Sequence, residues 1–308
     1  MGEATFDRLA LVGLGLIGSS IARAARRRGL AREIVAIDPS EDVRGRVREL
    51  GIADDVSGDP AAVAGCGLVI LCVPVGAMAQ VAGELAPHLA PGAIVSDVGS
   101  VKGAVLQALQ AHLPSHVRIV PGHPVAGTEQ SGPDAGFASL FEGRWCILTP
   151  PPECDAGAVA RVRAFWEAMG SRVEVMDASH HDHVLAITSH VPHLIAYNIV
   201  GTASDFESVT QSEVIKFSAG GFRDFTRIAA SDPTMWRDVF LANQDAVLEM
   251  LGRFSEDLAS LQRAIRWGDG DTLFDLFSRT RAVRRSIVEQ GQDDGRPDFG
   301  RSDHSSLS

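Results

Sequence analysis

The residues best equipped for chemistry fall in two clusters. The first is His180, His181, Asp182 and His183, followed by Ser189-His190-Val191-Pro192-His193, which puts five histidines in fourteen positions. On a helix, Ser189 and His193 are four apart and share a face, whereas His190 points elsewhere. Such density invites a metal, but no His-x-x-x-His pair comes with an acidic third ligand at recognised spacing, and no cysteine lies near. The plain alternative is a helix with polar positions near a domain junction. Pro192 inside the pattern implies a kink. The second cluster is Gly220-Gly221-Phe222-Arg223-Asp224-Phe225-Thr226-Arg227. Arg227 follows Arg223 by four residues and Asp224 by three. That spacing suits a solvated ion-paired face, or a guanidinium fork that grips a substrate carboxylate and is oriented by Asp224. Beyond it, Ser231 reads as an N-cap and Trp236 as a packing residue.

What positions these groups begins with Leu9–Ser20, LALVGLGLIGSS. Leu9, Leu11 and Val12 form a short apolar run of the kind a strand buried on both faces shows. Gly13, Gly15 and Gly18 follow at G-x-G-x-x-G spacing, then a helix-forming stretch to Arg28 and a second apolar run, Ile34–Ile37, ending on Asp38. Strand, glycine turn, helix, strand and an acid 20 residues after Gly18 together read as a dinucleotide site. Gly13 permits the tight turn, Gly15 lets the backbone approach a pyrophosphate, and Gly18 lets helix and strand pack closely. The helix N-terminus offers free N–H groups to the phosphates. Asp38 accepts hydrogen bonds from ribose hydroxyls and repels a 2′-phosphate, which favours NAD over NADP. The cofactor contacts are therefore assigned to Gly13, Leu14, Gly15, Ile17, Gly18 and Asp38, with Val73, Pro74 and Asp97 at the ends of later strands.

The first half alternates apolar runs with helical stretches. Expected strands are Leu9–Gly13, Glu33–Ile37, Leu68–Val73, Ala93–Asp97, Arg118–Val120, Cys146–Leu148 and Arg172–Val175. Expected helices are Gly18–Arg28, capped helix Asp42–Leu50 behind Ser40, Met78–Ala86, Val101–Ala111 and Ala156–Met169. This rhythm predicts an α/β fold with a Rossmann-type, doubly wound parallel sheet over residues 1–176. From 177 to 290 helical periodicity takes over, broken at Gly201, Gly220–Gly221 and Gly268–Gly270, and predicts an all-helical domain. Residues 291–308 are polar and read as a disordered tail.

The net charge of −11 argues against nucleic acid or an anionic membrane surface as partner. It leaves room for an anionic small molecule in a locally basic pocket. Only Lys102 and Lys216 are lysines. The four cysteines, Cys66, Cys72, Cys146 and Cys154, form no C-x-x-C and fit reduced thiols in a cytoplasm. The sequence gives the expectation of no signal peptide and no apolar stretch long enough to span a bilayer.

Four motifs in this order resemble one family. They are DVGSVKG at Asp97–Gly103, HPVAGTE at His123–Glu129, TSHVPH at Thr188–His193, and GGFRDFTRIAASDPTMWRD at Gly220–Asp238. Their combination is similar to the prephenate dehydrogenase family, which includes arogenate and cyclohexadienyl members, and the resemblance runs from about Leu9 to Val288. It implies an NAD(P)-binding domain, a helical domain that forms a homodimer, an active site between them, and the last oxidative step towards tyrosine. Carried over by motif position, His123 accepts the hydrogen bond of the substrate ring hydroxyl. Ser100 hydrogen-bonds that hydroxyl and helps place His123 and the nicotinamide. Arg227, supported by Asp224, binds a substrate carboxylate. Ser189 and His193 contact the side-chain end, Glu129 belongs to an ionic network at the pocket mouth, and Trp236 closes the pocket, either from its own subunit or from the partner. Val191 stands where many relatives carry Leu. No regulatory domain is expected after the helices, so any tyrosine feedback would act by competition at the active site.

Two rivals remain. A β-hydroxyacid dehydrogenase shares the two-domain plan but uses a lysine with an asparagine four residues on; Lys216 is followed at that distance by Gly220. A non-catalytic NAD-binding sensor needs no His–Ser–Arg constellation, and this sequence has one.

Overall fold

The computed structural model describes residues 5–128, 130–210 and 219–289, with backbone alone for 206–210 and 288. Six parallel strands form the main sheet in the order β3-β2-β1-β4-β5-β6. They are β1 Phe6–Val12, β2 Ala31–Ile37, β3 Asp55–Ser57, β4 Leu68–Leu71, β5 Ile94–Asp97 and β6 Arg118–Ile119. Alternation along each strand splits the core in two. Leu9, Leu11, Ile34, Leu68 and Ile70 face one layer with Phe141, Phe165 and Trp166. Ala10, Val12, Val35, Val69, Leu71 and Val95 face the other. Both faces are covered, which is why these strands are apolar throughout. On the first face lie α1 Leu16–Arg28, α2 Glu41–Leu50 and α5 Ala156–Ala168; on the second lie α3 Met78–Leu85 and α4 Gly103–His112. Ser40 does cap α2, accepting from Val43 N at 3.4 Å.

Two strands escape the sequence reading, and two expected ones lie elsewhere. β3 is only three residues long. After β6 the chain reaches Pro121, which has no amide to continue the ladder. It turns into β7 Gly122–Pro124, which pairs antiparallel with β8 Trp145–Leu148; β8 pairs parallel with β9 Arg172–Val175. The runs at 146–148 and 172–175 thus belong to a separate three-stranded sheet.

The register aligns the carboxyl ends of the central strands. Val12 lies opposite both Ile37 and Leu71, and Leu71 opposite Asp97. The turns at 13–15, 38–40, 72–74 and 98–100 therefore leave the sheet along one edge. The chain reverses its strand order between β1 and β4, where open α/β sheets bind their ligands.

From Asp177, whose carboxylate accepts from His180 N at 2.8 Å, the chain is helical. α6 Ala178–Leu185 passes through a π-helical segment, Ala186–His190, into α7 Val191–Thr210. The expected kink takes the form of this widened turn just ahead of Pro192, whose missing N–H cannot hold an α-type bond. Gly201 does not interrupt α7. Helices Gly220–Thr226, Pro233–Ala242, Gln244–Trp267 and Gly270–Glu289 follow, the third ending on left-handed Gly268 at φ +67°. The cap of Pro233–Ala242 is Asp232, which accepts from Met235 N at 2.7 Å, so the N-cap expected at Ser231 lies one residue later, directly before Pro233. The expectation of no bilayer-length apolar stretch also needs correcting. Ala178–Asp205 is long and apolar enough by composition, because histidine, serine and threonine interrupt it with little formal charge. Residues 291–308 lie outside the described residues.

Candidate active site

The glycine turn is dictated by backbone contact. Gly13 has φ +93°, and a Cβ there would sit 2.7 Å from the Cys72 carbonyl oxygen; one on Gly18 would sit 2.1 Å from that of Gly13. Neither position has room for a side chain. Gly15 is different, with nothing within 4 Å of its would-be Cβ. Open space thus lies at the N-terminus of α1, whose cap position offers no side chain to its first amides. This cradle fits the pyrophosphate of a dinucleotide. Asp38 closes the far side. Its Oδ2 accepts from Leu14 N at 2.9 Å and its Oδ1 from Ser40 N at 3.0 Å, and carboxylate lone pairs remain for ribose hydroxyls.

Other expected cofactor residues take different places. Leu14 has its side chain fully buried in the core, so only its backbone borders the turn. Ile17 is half-buried on α1. Val73 abuts the glycine turn, 3.0 Å from where a Gly13 Cβ would stand, and Pro74 is exposed beside it. Asp97 is a correction: it is fully buried and accepts from Gly99 N at 2.7 Å, from Gly122 N at 3.2 Å and from Lys102 Nζ. Its oxygens organise the strand ends and present nothing to a ligand.

Lys102 is the partner of that carboxylate and is also fully buried. Burial pushes the Asp97 carboxyl up and the Lys102 ammonium down, and their mutual attraction opposes both shifts. Nζ donates a second bond, to Gly122 O at 2.6 Å. Because Gly122 precedes His123, the ion pair fixes the start of β7 and with it the His123 backbone. Gly122 packs closely there: its would-be Cβ lies 3.2 Å from Asp97 O, so a side chain would press on the end of β5.

His123 is 7% exposed, and its Nδ1 lies 2.8 Å from His181 Nε2. His181 Nδ1 in turn lies 2.8 Å from Asp182 Oδ1. Burial holds the His123 pKa well below the usual imidazole range, and the charges of His181, Lys102 and His190 act in the same direction. His123 is therefore neutral at physiological pH.

A continuous set of contacts leads away from it. Asn243 Nδ2 donates to Asp182 O at 2.9 Å and lies 3.1 Å from His190 Nδ1. His190 is fully buried, and burial lowers its pKa to about 4. Its ring meets Trp236 edge-on at 6.1 Å. Trp236 stacks on His193, whose Nδ1 lies 2.8 Å from Ser189 O one turn back. Burial lowers the His193 pKa, and the charge of Arg227 acts in the same direction. Arg227 opens the 3-10 turn Arg227–Ala230 and Asp224 stands exposed on the helix before it. Ser100 lies half-buried just beyond the carboxyl end of β5. Ser189 is half-buried in the π-helical segment. Glu129 lies outside the described residues. Trp236 packs against histidines of its own chain, where the family resemblance raised the partner subunit as its source.

Sequence reasoning missed Lys102 and Asn243 as members of the site, and it singled out His181, Asp182 and His190 as a cluster without giving them a role there. One signal was available. In a chain where arginine supplies 26 of 28 basic residues, a lysine within DVGSVKG marks a spot that takes a compact ammonium.

Fold and site together define a two-domain, dinucleotide-dependent dehydrogenase. Comparison with known proteins narrows this. The nucleotide-binding domain of prephenate dehydrogenase matches residues 21–175 and the dimerization domain of prephenate dehydrogenase matches 177–279. The chain belongs to the prephenate dehydrogenase family. It is 47% identical to a cyclohexadienyl dehydrogenase of Zymomonas mobilis, covering 92% of this chain and 96% of that one. A prephenate dehydrogenase of A. aeolicus, solved with hydroxyphenyl propionate and NAD+, superposes with a TM-score of 0.86 at 34% identity, covering 93% and 99% of the two chains. An arogenate dehydrogenase of Synechocystis superposes with a TM-score of 0.77 at 27% identity, covering 91% and 99%.

Proposed function

We propose that this chain oxidises and decarboxylates prephenate, arogenate or both with NAD, giving 4-hydroxyphenylpyruvate or tyrosine. The observation that carries the reading is the buried, neutral His123 at the carboxyl edge of a dinucleotide fold. NAD, held by the Gly13–Gly18 turn and Asp38, supplies a hydride acceptor when bound. His123 takes the proton of the ring hydroxyl as hydride leaves the carbinol carbon, which stabilises the charge that develops there. Loss of the ring carboxylate as carbon dioxide leaves its electron pair in the ring, which becomes aromatic. The proton held by His123 then returns to the ring oxygen, so the sequence balances without a proton from water.

Ser100 shares the ring hydroxyl with His123. Arg227, with Asp224 on the same segment, takes a substrate carboxylate, and Ser189 and His193 meet the side-chain end. Trp236 walls the pocket. We take residues 1–176 and 177–290 as the two domains. The helical one pairs two copies, a reading supported by Leu258, Ile265, Trp267, Phe274, Phe277 and Val283, each 47–74% exposed. A cytoplasmic location is the reading that the free cysteines and the biosynthetic role support. A β-hydroxyacid dehydrogenase is not favoured.

The test is NADH formation by purified protein with NAD and either substrate, repeated with NADP. Turnover of prephenate or arogenate is expected. Silence on both, from protein that binds NAD, overturns the substrate assignment.

A further inference from the structure

We propose that Asp182 is a positioning residue with two simultaneous tasks: it caps a helix of the nucleotide domain from within the helical domain, and through His181 it fixes which nitrogen of His123 carries the hydrogen. The proposal rests on the reading of His123 as the base.

The Asp182 carboxylate is held among three donors. Oδ1 accepts from Lys102 N at 2.8 Å and lies 2.8 Å from His181 Nδ1; Oδ2 accepts from Gly103 N at 2.8 Å. Lys102 and Gly103 open α4, and the residue at its own cap position supplies no side-chain bond. First-turn amides have no partner within their helix. Here the partner comes from 79 residues further along the chain. Burial pushes the Asp182 carboxyl up, but the bonds from His181, Lys102 N and Gly103 N outweigh it and hold the group below the usual carboxylate range.

An ionised carboxylate only accepts hydrogen bonds. His181 Nδ1 therefore carries a hydrogen. Burial lowers the His181 pKa despite the neighbouring carboxylate, so the ring is neutral and its Nε2 holds a lone pair. That lone pair faces His123 Nδ1, which must donate. Neutral His123 is then left with Nε2 free to accept a proton. Lys102 and His190 also face this pair and oppose a proton on His123, while Asp97 favours one on His181. The same logic makes an aspartate orient the histidine of a serine hydrolase. Because one carboxylate serves both the cap and the chain of rings, His123 acquires its working tautomer only with the two domains docked.

Nitrogen-15 NMR of the full chain with labelled histidine reads the tautomer without substrate. Wild-type protein is expected to show His123 protonated at Nδ1 above its pKa; protonation at Nε2 in the wild type overturns the proposal even if no variant folds. Asp182→Asn turns an amide N–H towards one of the three donors, and the ring chain is expected to invert. His123 then carries its hydrogen on Nε2, and kcat falls about a hundredfold to ten-thousandfold. NAD affinity and substrate KM stay within roughly threefold, since no bound group is lost. Asp182→Glu, which keeps the charge, recovers part of kcat. A folded Asp182→Asn that retains Nδ1–H and wild-type turnover overturns the proposal. If wild-type protein turns over neither prephenate nor arogenate, the substrate reading fails, while the NMR result still decides this one.

Discussion

The indole of Trp236 lies almost flat on the imidazole of His193, with ring centroids 3.7 Å apart and planes 24° from parallel. His193 is held on its other side by its bond to Ser189 O, so the stack leaves it one orientation. Aromatic pairs of this kind contribute about 0.5–1.5 kcal/mol beyond buried area. Trp236→Ala is expected to raise substrate KM by up to about tenfold through loss of that orientation. Trp236→Phe should recover most of it. Steady-state kinetics on the two variants check this; an unchanged KM in Trp236→Ala would remove His193 from the substrate contacts. Trp236→Ala should also cost about 3–5 kcal/mol of stability as a large buried side chain, visible in urea unfolding.

The pH dependence of kcat/KM follows from the His123 environment. A base must be neutral to act, and burial depresses the His123 pKa well below its ordinary value. The acid limb of kcat/KM is therefore expected below the ordinary imidazole value of about 6.5, with activity level through neutrality. His123→Asn should remove the limb and lower kcat by about a hundredfold or more while leaving NAD binding intact. A limb centred above that ordinary value would show that another group limits the rate.

The parts of this molecule that sequence reveals are those whose constraint is local. Gly13 and Gly18 are legible because a side chain at either would strike backbone a few residues away or on the adjoining strand end. Strands β1, β2, β4 and β5 are legible because alternate residues enter two apolar layers; β3 is too short and too exposed to show such a pattern. β7 is not, because three residues containing His123 and Pro124 carry no period, and their strand exists only through β8 and the Asp97–Lys102 pair. The chain from His123 to Asp182 is illegible for the same reason. It joins side chains 58 residues apart, and nothing near position 123 announces position 181. Motif resemblance located His123, but its neighbours emerge only from the packing of the two domains.

The buried ion pair makes a sharp stability prediction. Lys102→Met leaves the Asp97 carboxylate without its counter-charge in a fully buried site. Breaking such a pair from one side costs about 3–5 kcal/mol. The second substitution in Lys102→Met with Asp97→Asn should recover part of that loss, because the charge goes while one acceptor, for either Gly99 N or Gly122 N, is kept. Chemical denaturation of the three proteins checks the order. A single variant as stable as wild type would mean that Asp97 is neutral in the fold.

Acid should unfold the protein earlier than its surface charge alone requires. His123, His181 and His190 all have folded pKa values below their ordinary one, each lowered first by burial. The unfolded chain therefore binds more protons than the folded one once pH drops below about 6.5. Stability is fully present above that value and is lost as pH falls towards the folded pKa, which for His190 is about 4. Melting temperature should fall across that window, and less steeply in His190→Gln. Equal slopes in the two proteins would assign the loss to other groups.

Asp38 is expected to set cofactor choice, and its geometry makes the expected result two-part. The carboxylate repels a 2′-phosphate, and the same oxygens tie down Leu14 N and Ser40 N. Asp38→Ala removes both functions, so its effect on NAD alone says little about charge. Asp38→Asn keeps one acceptor for the turn and removes the charge. It is expected to raise the KM for NAD by about tenfold, the scale of one lost charged hydrogen bond, and to raise use of NADP relative to NAD. Arg44 stands ready to aid that shift, since its guanidinium already bonds the carbonyls of Asp38 and Pro39 at 2.7 and 2.9 Å. Kinetics with both cofactors separate the functions. A higher KM for NAD with an unchanged NADP-to-NAD ratio would leave Asp38 as a brace of the glycine turn and place discrimination elsewhere.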